Sequence, residues 1–365
     1  MKYLDEFRSP KRVRAVLERI GERRRRPLRL MEFCGTHTHA IFRHGIRQLL
    51  PPGIAMLSGP GCPVCVTSAA DLDRAIGLAG LPGVTLAIFG DMLRVPGSHG
   101  SLQAAKAAGA DVRVVYSSLD ALGIARAHPE RTVILLGVGF ETTAPTIAAA
   151  VLEAERDRLA NFRLYCLHKL TPPAAIAILR SGEVALDGVL APGHVSAIIG
   201  AEAWGFVPRD FSLPAAVAGF EPLDILLAIA DLVEQHEAGQ AAVHNAYGRG
   251  VRPAGNLVAV RLMEEVFQPV PAEWRGLGTV PASGLGLRPR FLAYDATPLL
   301  AEHGLDRLEA HEPAGCRCGD VLRGALSPEG CPLFCRACTP ERPVGPCMVS
   351  SEGSCAASYR YGERP

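Results

Sequence analysis

Between about residue 80 and residue 200, short apolar runs rich in β-branched residues alternate with alanine-rich stretches of helical character. Continuous apolar strands that alternate with helices indicate a parallel sheet covered on both faces. The pattern therefore predicts an α/β protein. The predicted strands are residues 84–89 (VTLAIF), 112–116 (VRVVY), 132–138 (TVILLGV), 162–167 (FRLYCL) and 186–190.

Polar and flexible segments follow three of these strands. They are GDMLRVPG (residues 90–97), GFETTAP (139–145) and APGHVS (191–196). Ligands of parallel sheets bind outside the carboxyl ends of the strands. We therefore expect the functional residues in these segments.

The domain organisation is predicted from the same pattern. Two α/β units fit before residue 300, and we assign residues 1–130 to the first and 131–300 to the second. After Pro298 the composition shifts to Cys, Gly and Pro with little periodicity, so residues 301–365 form a cysteine-rich segment. A segment this short and poor in apolar residues is expected to need a metal or cross-links.

Composition and charge exclude several classes of protein. The chain has 365 residues, 48% of them hydrophobic, and a formal net charge of +1. Nucleic-acid and anionic-membrane surfaces carry a basic excess, which this chain lacks, and Arg23–Arg26 read as the solvated end of a helix. The first residues are charged without a secretory apolar run, and no stretch reaches about 18 apolar residues. We expect a cytoplasmic protein without nucleic-acid or membrane partners.

Eleven cysteines stand out from this composition. The number is odd, and in a reducing compartment clustered cysteines indicate metal binding or redox activity. Seven of them lie between Cys316 and Cys355. The other four are Cys34, Cys62, Cys65 and Cys166.

The first cysteine motif is EFCGTHTH, residues 32–39. It follows the apolar run Leu28–Met31, which is predicted to be a strand. The Cys34 thiolate and the His37 imidazole are three residues apart, and Gly35 is expected to let the backbone turn between them. Such a pair suits iron, copper or zinc. The alternative is a buried free cysteine beside a hydrogen-bonded histidine, and His39 is expected only to hold the loop.

The second motif is a C-x-x-C sequence, Cys62 and Cys65, in a Gly/Pro loop. A helix is predicted after it, through about Ala79, with Ser68 and Asp71 as its capping box. A cysteine before a helix N-terminus has a lowered thiol pKa. The motif is compatible with two roles: reversible disulfide formation and metal binding.

The cysteines of the tail allow either zinc or an iron–sulfur cluster. Only Cys335 and Cys338 have zinc-ribbon spacing, whereas a cluster needs four thiolates and tolerates varied spacing. Nucleotide binding is a weak hypothesis, because Thr142 stands where the dinucleotide fingerprint beginning at Gly137 needs glycine, and no phosphate loop is present.

Several motifs together resemble the HypD family of hydrogenase maturation proteins, over residues 30–361. They are MEFCGTHTHAI, SGPGCPVCVT, FGDMLRVPGS, GFETTAP, LHKL, APGHVSAIIG, GFEPLDIL, WRGLG, CGDVLRG and CTPERPVGPCMVSSEGSCAA.

The resemblance implies a fold and a role. Proteins of this family have two Rossmann-like domains and a third domain with a [4Fe–4S] cluster. With a small partner, HypC, they form the scaffold on which the Fe(CN)2CO group of nickel–iron hydrogenase is built. The cyanide comes from HypE, and the hydrogenase large subunit is served indirectly.

The resemblance also implies roles for single residues. The cluster ligands would be Cys316, Cys331, Cys338 and Cys355, with Cys318 and Cys347 as a second thiol pair nearby. Cys34 would hold a transient iron with His37 beside it, and Cys62 and Cys65 would be a redox pair. Residues expected to line the same cleft are Asp91, Glu141, Thr142, Thr143 and His194.

Two cysteines depart from the family pattern. Cys335 lies where the family usually has glycine, and it could compete with Cys338 as a ligand. Cys166 matches no cysteine role of the family and is predicted to lie in the core.

Two other functions compete with the scaffold. One is a cluster-dependent thiol–disulfide oxidoreductase, which would turn over a disulfide substrate and need no tightly bound partner. The other is a zinc-binding structural module.

Overall fold

The computed structural model describes residues 5–362 and confirms the α/β prediction. Each predicted strand is present, with its ends shifted by at most two residues or so. In the described chain the strands are β1 (Leu28–Glu32), β2 (Ile54–Ser58), β3 (Val84–Ile88), β4 (Asp111–Val114), β5 (Thr132–Gly137), β6 (Phe162–Cys166), β7 (Gly188–Pro192), β8 (Ala215–Ala218), β9 (Val243–Asn245), β10 (Phe267–Trp274) and β11 (Gly278–Leu287).

Helices cover both parallel sheets. They are α1 (Pro10–Arg23), α2 (Gly35–Arg43), α3 (Ile46–Leu49), α4 (Pro63–Val66), α5 (Ala69–Ala79), α6 (Leu102–Ala107), α7 (Ser118–Ala127), α8 (Ala144–Arg156), α9 (Thr171–Ser181), α10 (Gly193–Ile199), α11 (Phe206–Phe211), α12 (Pro222–Glu237), α13 (Leu257–Val266), α14 (Thr297–Glu302), α15 (Cys318–Leu322) and α16 (Ser354–Tyr361). Among the described residues, none of these helices is long and apolar enough to cross a membrane.

The first sheet has five parallel strands in the order β2-β1-β7-β8-β9. Leu28 of β1 pairs with Ile54 of β2, and Leu30 pairs with Gly188 of β7. β1 therefore lies between the next strand of the chain, β2, and a strand that begins about 160 residues after β1 does, β7.

The second sheet has four parallel strands in the order β4-β3-β5-β6. Its inner strands β3 and β5 are buried along their length, as continuous apolar runs require. The chain builds β1 and β2, then the whole second sheet, and returns to the first sheet with β7.

This order corrects the predicted domain boundaries. Residue 130 falls inside the second sheet, between β4 and β5, so the ranges 1–130 and 131–300 do not separate the two sheets. Buried parallel strands of both sheets have the same apolar composition, and composition does not reveal which strands pair. Residues 1–4 and 363–365 of the predicted ranges lie outside the described residues.

An antiparallel hairpin, β10–β11, connects the two sheets and was not predicted. Pro269 and Pro271 lie within β10, and proline argues against a strand except at an edge. A two-stranded ribbon offers such edges. Trp274 at the end of β10 pairs with Thr67 beside the C-x-x-C segment, and its ring stacks on Phe140.

The cysteine-rich tail does not hold its core alone. Its buried residues Val321, Leu322, Phe334 and Met348 belong to the same apolar cluster as Trp274. Helix α16 packs against α2, the helix that begins next to Cys34. The tail is therefore anchored on the carboxyl edge of the first sheet.

Candidate functional site

The carboxyl ends of four neighbouring strands of the first sheet carry residues that the sequence singles out. Cys34 follows β1, Cys62 and Cys65 follow β2, and His194 follows β7. Phe220 lies just beyond β8. Because parallel neighbours end at the same edge of a sheet, these four segments converge on one place.

Cys34 is the N-cap residue of α2 and is buried. Its backbone N–H donates to Glu32 Oε2 at 2.8 Å, and its carbonyl oxygen accepts from the Thr38 N–H. Burial raises the pKa of the Cys34 thiol to about 12, and the nearby Glu352 carboxylate adds to the rise. At neutral pH Cys34 is therefore a protonated thiol.

Glu32 is a buried carboxyl group that the sequence analysis did not select. It accepts from the Cys34 N–H and from Thr38 Oγ1, and burial raises its pKa to about 7. An ionisable residue at the end of the apolar strand LRLME was the available signal. Glu32 fixes the backbone at Cys34.

His37 is fully buried in the first turn of α2. Its Nε2 lies 2.9 Å from the Gly219 carbonyl oxygen, which can only accept, so Nε2 carries the proton. Nδ1 then has a free lone pair and no hydrogen-bond partner. Burial lowers the pKa of His37 to about 4, so the ring is neutral and can accept a proton or a metal at Nδ1.

His194 joins this site through an aromatic stack. Its ring lies on Phe220 with the ring centroids 3.8 Å apart, and the Phe220 ring also stacks on His37, at 4.7 Å. Burial lowers the pKa of His194. No pattern in the sequence indicates that Phe220 separates the two histidines.

Cys62 and Cys65 form a disulfide, one of the two predicted outcomes. The lowered thiol pKa stays a prediction, because neither sulfur carries a proton in the disulfide. The helix after the pair, α5, ends at Ala79 as predicted, and Ser68 Oγ accepts from the Asp71 N–H.

Gly61 packs directly on the backbone of Cys34. The Gly61 carbonyl oxygen accepts from the Gly35 N–H at 2.8 Å, and a Cβ at Gly61 would lie 2.2 Å from the Cys34 nitrogen. Only glycine allows this approach. The disulfide segment and the Cys34 segment therefore form one unit.

Glu352, a residue of the tail, contacts the segment that follows Cys34. Thr36 Oγ1 donates to its carboxylate at 2.7 Å, and a Cβ at Gly35 would lie 2.5 Å from the Glu352 Cβ. Gly35 thus makes room for the tail; it does not have the left-handed backbone of a tight turn, which corrects that expectation. His39 also contacts the tail, with Nδ1 3.1 Å from the Ser351 carbonyl oxygen.

Asp91 is exposed; burial raises the pKa of the Glu352 carboxyl group, and the nearby Asp91 charge adds to the rise. The structure therefore brings Asp91 to the predicted cleft.

Glu141, Thr142 and Thr143 lie at the carboxyl edge of the second sheet instead. Glu141 is buried and accepts from the backbone N–H and the hydroxyl of Thr171, each at 2.8 Å. Burial raises its pKa to about 7. Thr143 Oγ1 contacts His168 Nε2 at 3.1 Å. Glu141 and Thr143 therefore hold the loop after β5 to the segment that follows β6.

Cys166, the last residue of β6, is half-buried and lines a cavity of about 500 Å³. The prediction that Cys166 is a core residue is therefore wrong.

Six cysteines of the tail line one apolar pocket together with Leu333, Phe334 and Met348. They are Cys316, Cys318, Cys331, Cys338, Cys347 and Cys355. All four expected cluster ligands are among them, so the donor set fits a [4Fe–4S] cluster. Within residues 5–362 no three His, Cys, Asp or Glu side chains are grouped to hold a single metal ion.

Cys335 does not line this pocket. Its backbone is left-handed, with φ 57°, a conformation that glycine adopts without strain. That agrees with the glycine expected at this position and separates Cys335 from the expected ligands.

Cys318 and Cys347 are the closest of the tail thiols, with their sulfurs 2.8 Å apart. The hydrogen bond from Cys347 lowers the pKa of Cys318, and the buried Arg275 guanidinium adds to the effect. Pro346, next to Cys347, has its carbonyl oxygen 3.9 Å from Cys65 Sγ. The two cysteine pairs are thus neighbours across the boundary between tail and sheet.

Arg275 lies between these pairs and was not selected from the sequence beyond its place in the WRGLG motif. Its Nε donates to the Thr67 carbonyl oxygen at 3.1 Å, and its Nη1 pairs with Glu312. A fully buried cation beside a thiol favours the thiolate form.

Comparison with known proteins identifies the family of the chain. A family model described as "HypD: Hydrogenase formation hypA family" matches residues 11–362. The chain belongs to the HypD family. The hydrogenase maturation factor HypD of Rhodobacter capsulatus is 45% identical over 371 residues, which cover 99% of this chain and 98% of that protein. Those of Azotobacter vinelandii (47%, covering 100% and 98%) and Escherichia coli K12 (44%, covering 100% and 99%) are similarly related.

Membership of the HypD family makes this chain a hydrogenase maturation factor. The resemblance read from the sequence motifs is therefore confirmed. The match covers both sheets and the cysteine-rich tail, and so includes every segment that forms the site.

We expect Gly61→Ala to destabilise the protein by about 1–3 kcal/mol, because the added methyl group meets the Cys34 backbone. Urea unfolding measures the change. Gly100→Ala is the matched control: a Cβ there meets nothing within 4 Å, so its effect should stay within about 0.5 kcal/mol. Equal stability of the two variants would contradict the close packing of the two segments.

Proposed function

We propose that this HypD-family chain, together with a small HypC-type partner, is the scaffold on which the Fe(CN)2CO group of nickel–iron hydrogenase is assembled. The observation that carries the proposal is the meeting of the Cys34 thiol, the unpartnered Nδ1 of His37 and the Cys62–Cys65 disulfide at one sheet edge.

Cys34 is the proposed ligand of the incoming iron, which is the substrate here. A buried thiol with a pKa near 12 does not ionise on its own at neutral pH. Iron binding displaces the proton, because a coordinating thiol is deprotonated by the metal charge. Cyanide and carbon monoxide favour low-spin Fe(II), and a soft thiolate holds such iron well. A second thiolate from the partner would leave positions open for these ligands.

His37 is proposed to orient or protonate a ligand. Its Nε2–H is committed to the Gly219 carbonyl oxygen, which holds the ring in place against Phe220. Nδ1 is therefore the ring nitrogen that can contact a ligand. Since the ring stays neutral down to a pH of about 4, its bare Nδ1 can accept a hydrogen bond from a ligand throughout the physiological range. To protonate a ligand, Nδ1 would first have to take up a proton.

Cys316, Cys331, Cys338 and Cys355 are the residues that would hold a [4Fe–4S] cluster, which supplies single electrons when bound. The apolar side chains Leu333, Phe334 and Met348 exclude water from this pocket. The proposal rests on the shared pocket of the four thiols.

The two cysteine pairs are proposed to exchange electrons. A Cys318 thiolate attacks a disulfide sulfur of Cys62–Cys65, and Cys347 completes the exchange. One disulfide forms as the other breaks, so two electrons move from the tail to the sheet edge, and the Cys347 proton passes to one of the released sulfurs while the other leaves as a thiolate. The contact of Pro346 with Cys65 and the Arg275 charge beside Cys318 support this direction.

The partners follow from the same proposal. HypE is the proposed cyanide donor, the hydrogenase large subunit receives the product indirectly, and the cytoplasm is the proposed location.

The competing function is a cluster-dependent thiol–disulfide oxidoreductase. The only observation that favours it is that the two cysteine pairs are neighbours. It predicts steady turnover of a disulfide substrate without a bound partner, which an assay with the isolated chain decides.

Replacing Cys34 by Ala should abolish the CN and CO infrared bands of the complex with its partner and weaken partner binding. The fold and the brown cluster chromophore should remain, because neither depends on this thiol. His37→Ala should reduce the bands by degrees. Normal infrared bands in the Cys34→Ala complex, with lowered stability, would reject Cys34 as the iron ligand.

The ligand set is tested by alanine substitution in anaerobically purified protein. Removing Cys316, Cys331, Cys338 or Cys355 should bleach the chromophore and destabilise the tail. Cys335→Ala is the matched control and should keep the chromophore, since Cys335 does not line the pocket. Loss of the cluster in Cys335→Ala with retention in Cys331→Ala would show that the ligand set is wrong.

The exchange between the pairs is tested with Cys318→Ser or Cys347→Ser. Either change should block hydrogenase maturation, because no dithiol remains to reduce the Cys62–Cys65 disulfide. The iron content should be unchanged, and it is measured on the same sample. Full maturation with either variant would exclude the exchange.

A further inference from the structure

The carboxyl end of β9, the fifth strand of the first sheet, also contributes a residue to the site. Tyr247 is half-buried and lies two residues beyond the end of this strand. A turn fixes its backbone: the Asn245 side chain accepts from the Tyr247 N–H at 3.1 Å and donates to the Val251 carbonyl oxygen at 2.9 Å. The segment after β9 therefore joins the four segments that meet at this edge of the sheet.

The Tyr247 ring packs on the backbone beside both histidines of the site. A Cβ at Gly219 would lie 2.6 Å from Tyr247 Cδ2, and a Cβ at Gly193 would lie 3.0 Å from Tyr247 Cδ1. The Gly219 carbonyl oxygen accepts from His37 Nε2, and Gly193 directly precedes His194. One ring therefore contacts the acceptor of the first histidine and the segment of the second.

The same ring supports Phe220. The two rings meet edge to face with their centroids 6.2 Å apart, which is a favoured geometry for an aromatic pair. Phe220 in turn stacks on His37 and on His194. Tyr247 therefore acts on the histidines in two ways, through the glycine backbone and through Phe220.

Arg249 stacks on the Tyr247 ring and connects it to the N-terminal segment. Its guanidinium carbon lies 4.7 Å from the Tyr247 ring centroid and 3.7 Å from the ring centroid of Phe7. Its two Nη atoms each donate to the fully buried carboxylate of Asp224 at 2.6 Å. A guanidinium that is bidentate and stacked in this way has little freedom to turn.

Asp224 connects this arrangement to the segment that holds the Gly219 carbonyl group. Its Oδ2 accepts from the Glu221 N–H at 3.2 Å, and a Cβ at Gly219 would lie 2.5 Å from the same oxygen. Arg8 also binds this segment, because it donates to both carboxylate oxygens of Glu221. Asp224 and the N-terminal segment together therefore fix residues 219–221.

We propose that Tyr247, held by Arg249, is a positioning residue for His37. Because it fixes the Gly219 carbonyl oxygen and the Phe220 ring, it keeps the imidazole in one tautomer, with the proton on Nε2 and with Nδ1 bare. When the Tyr247 ring is removed, the imidazole loses its fixed acceptor and populates both neutral tautomers. The use of the bare Nδ1 rests on the proposed function, whereas the single tautomer does not.

The tautomer is measured by 15N NMR of the intact protein labelled at histidine, at neutral pH and without added iron. A bare ring nitrogen and an N–H nitrogen resonate far apart, and the His37 signals are those that disappear in His37→Gln. The wild type should show the Nε2–H tautomer alone. Tyr247→Leu should give signals averaged between the two tautomers, and Tyr247→Phe, which keeps the ring, should restore the single tautomer. Unchanged His37 signals in Tyr247→Leu would overturn the proposal.

Arg249→Lys is a second variant, so that the test does not depend on the folding of Tyr247→Leu. It keeps a positive charge beside Asp224 but loses the bidentate pair and the planar stack. The His37 nitrogen signals should move in the same direction as in Tyr247→Leu. Wild-type signals in Arg249→Lys would overturn the proposal, because the tyrosine ring would then not need Arg249.

The consequence for assembly is measured separately, from the CN and CO infrared bands of the complex with the partner. Tyr247→Leu should reduce these bands about as much as His37→Ala does. Most of this loss should be absent when Tyr247→Leu is added to His37→Ala, because the tyrosine acts through that imidazole. Tyr116→Leu is the matched control: this side chain is 93% exposed, and the bands should stay unchanged.

The two measurements separate the positioning role from the proposed function. An equal loss of the bands in the wild-type and His37→Ala backgrounds would overturn the positioning of His37. A wild-type complex without CN and CO bands, in a protein whose tautomer responds to Tyr247→Leu, would reject the proposed function and leave the positioning role supported.

Discussion

The pairing of β1 between β2 and β7 is the constraint on which the site depends. It sets the ends of three parallel strands side by side, so that a thiol, a disulfide and a histidine from distant parts of the sequence share one edge. Gly61 then closes the gap, since any side chain there would overlap the Cys34 backbone. Neither glycine nor strand pairing carries chemistry, yet together they place the segments that hold the reactive groups at one edge of the sheet.

Burial, more than charged neighbours, sets the ionisation of these groups. It is the largest cause of the raised pKa values of Cys34 and Glu32 and of the lowered pKa of His37. The Cys34 thiol and the His37 imidazole are therefore both neutral until a cation arrives. A buried thiol of this kind binds a metal ion strongly only when it loses its proton. The binding of the metal therefore depends on a group or a water molecule that takes this proton away.

Much of the fold was readable from the sequence, because buried parallel strands leave apolar runs such as residues 84–89 and 132–138. The chemical residues were readable too, since Cys and His in glycine-rich segments are rare. What the sequence did not reveal is long-range pairing: β7 returns to β1, and Thr143 contacts His168 instead of Cys34. Glu352 and Phe220 were missed because a single polar or aromatic residue has no pattern before its neighbours are known.

The interleaved order of the two sheets has a consequence for synthesis. When β1 and β2 have left the ribosome, β7, the second neighbour of β1, lies beyond residues 59–187, a stretch that takes on the order of 10 s to translate. Cys34 is exposed during that interval, without the wall that β7 and β8 supply. A nascent chain therefore passes through a stage in which the Cys34 thiol is open to solvent, and the pairing of β7 and β8 ends that stage.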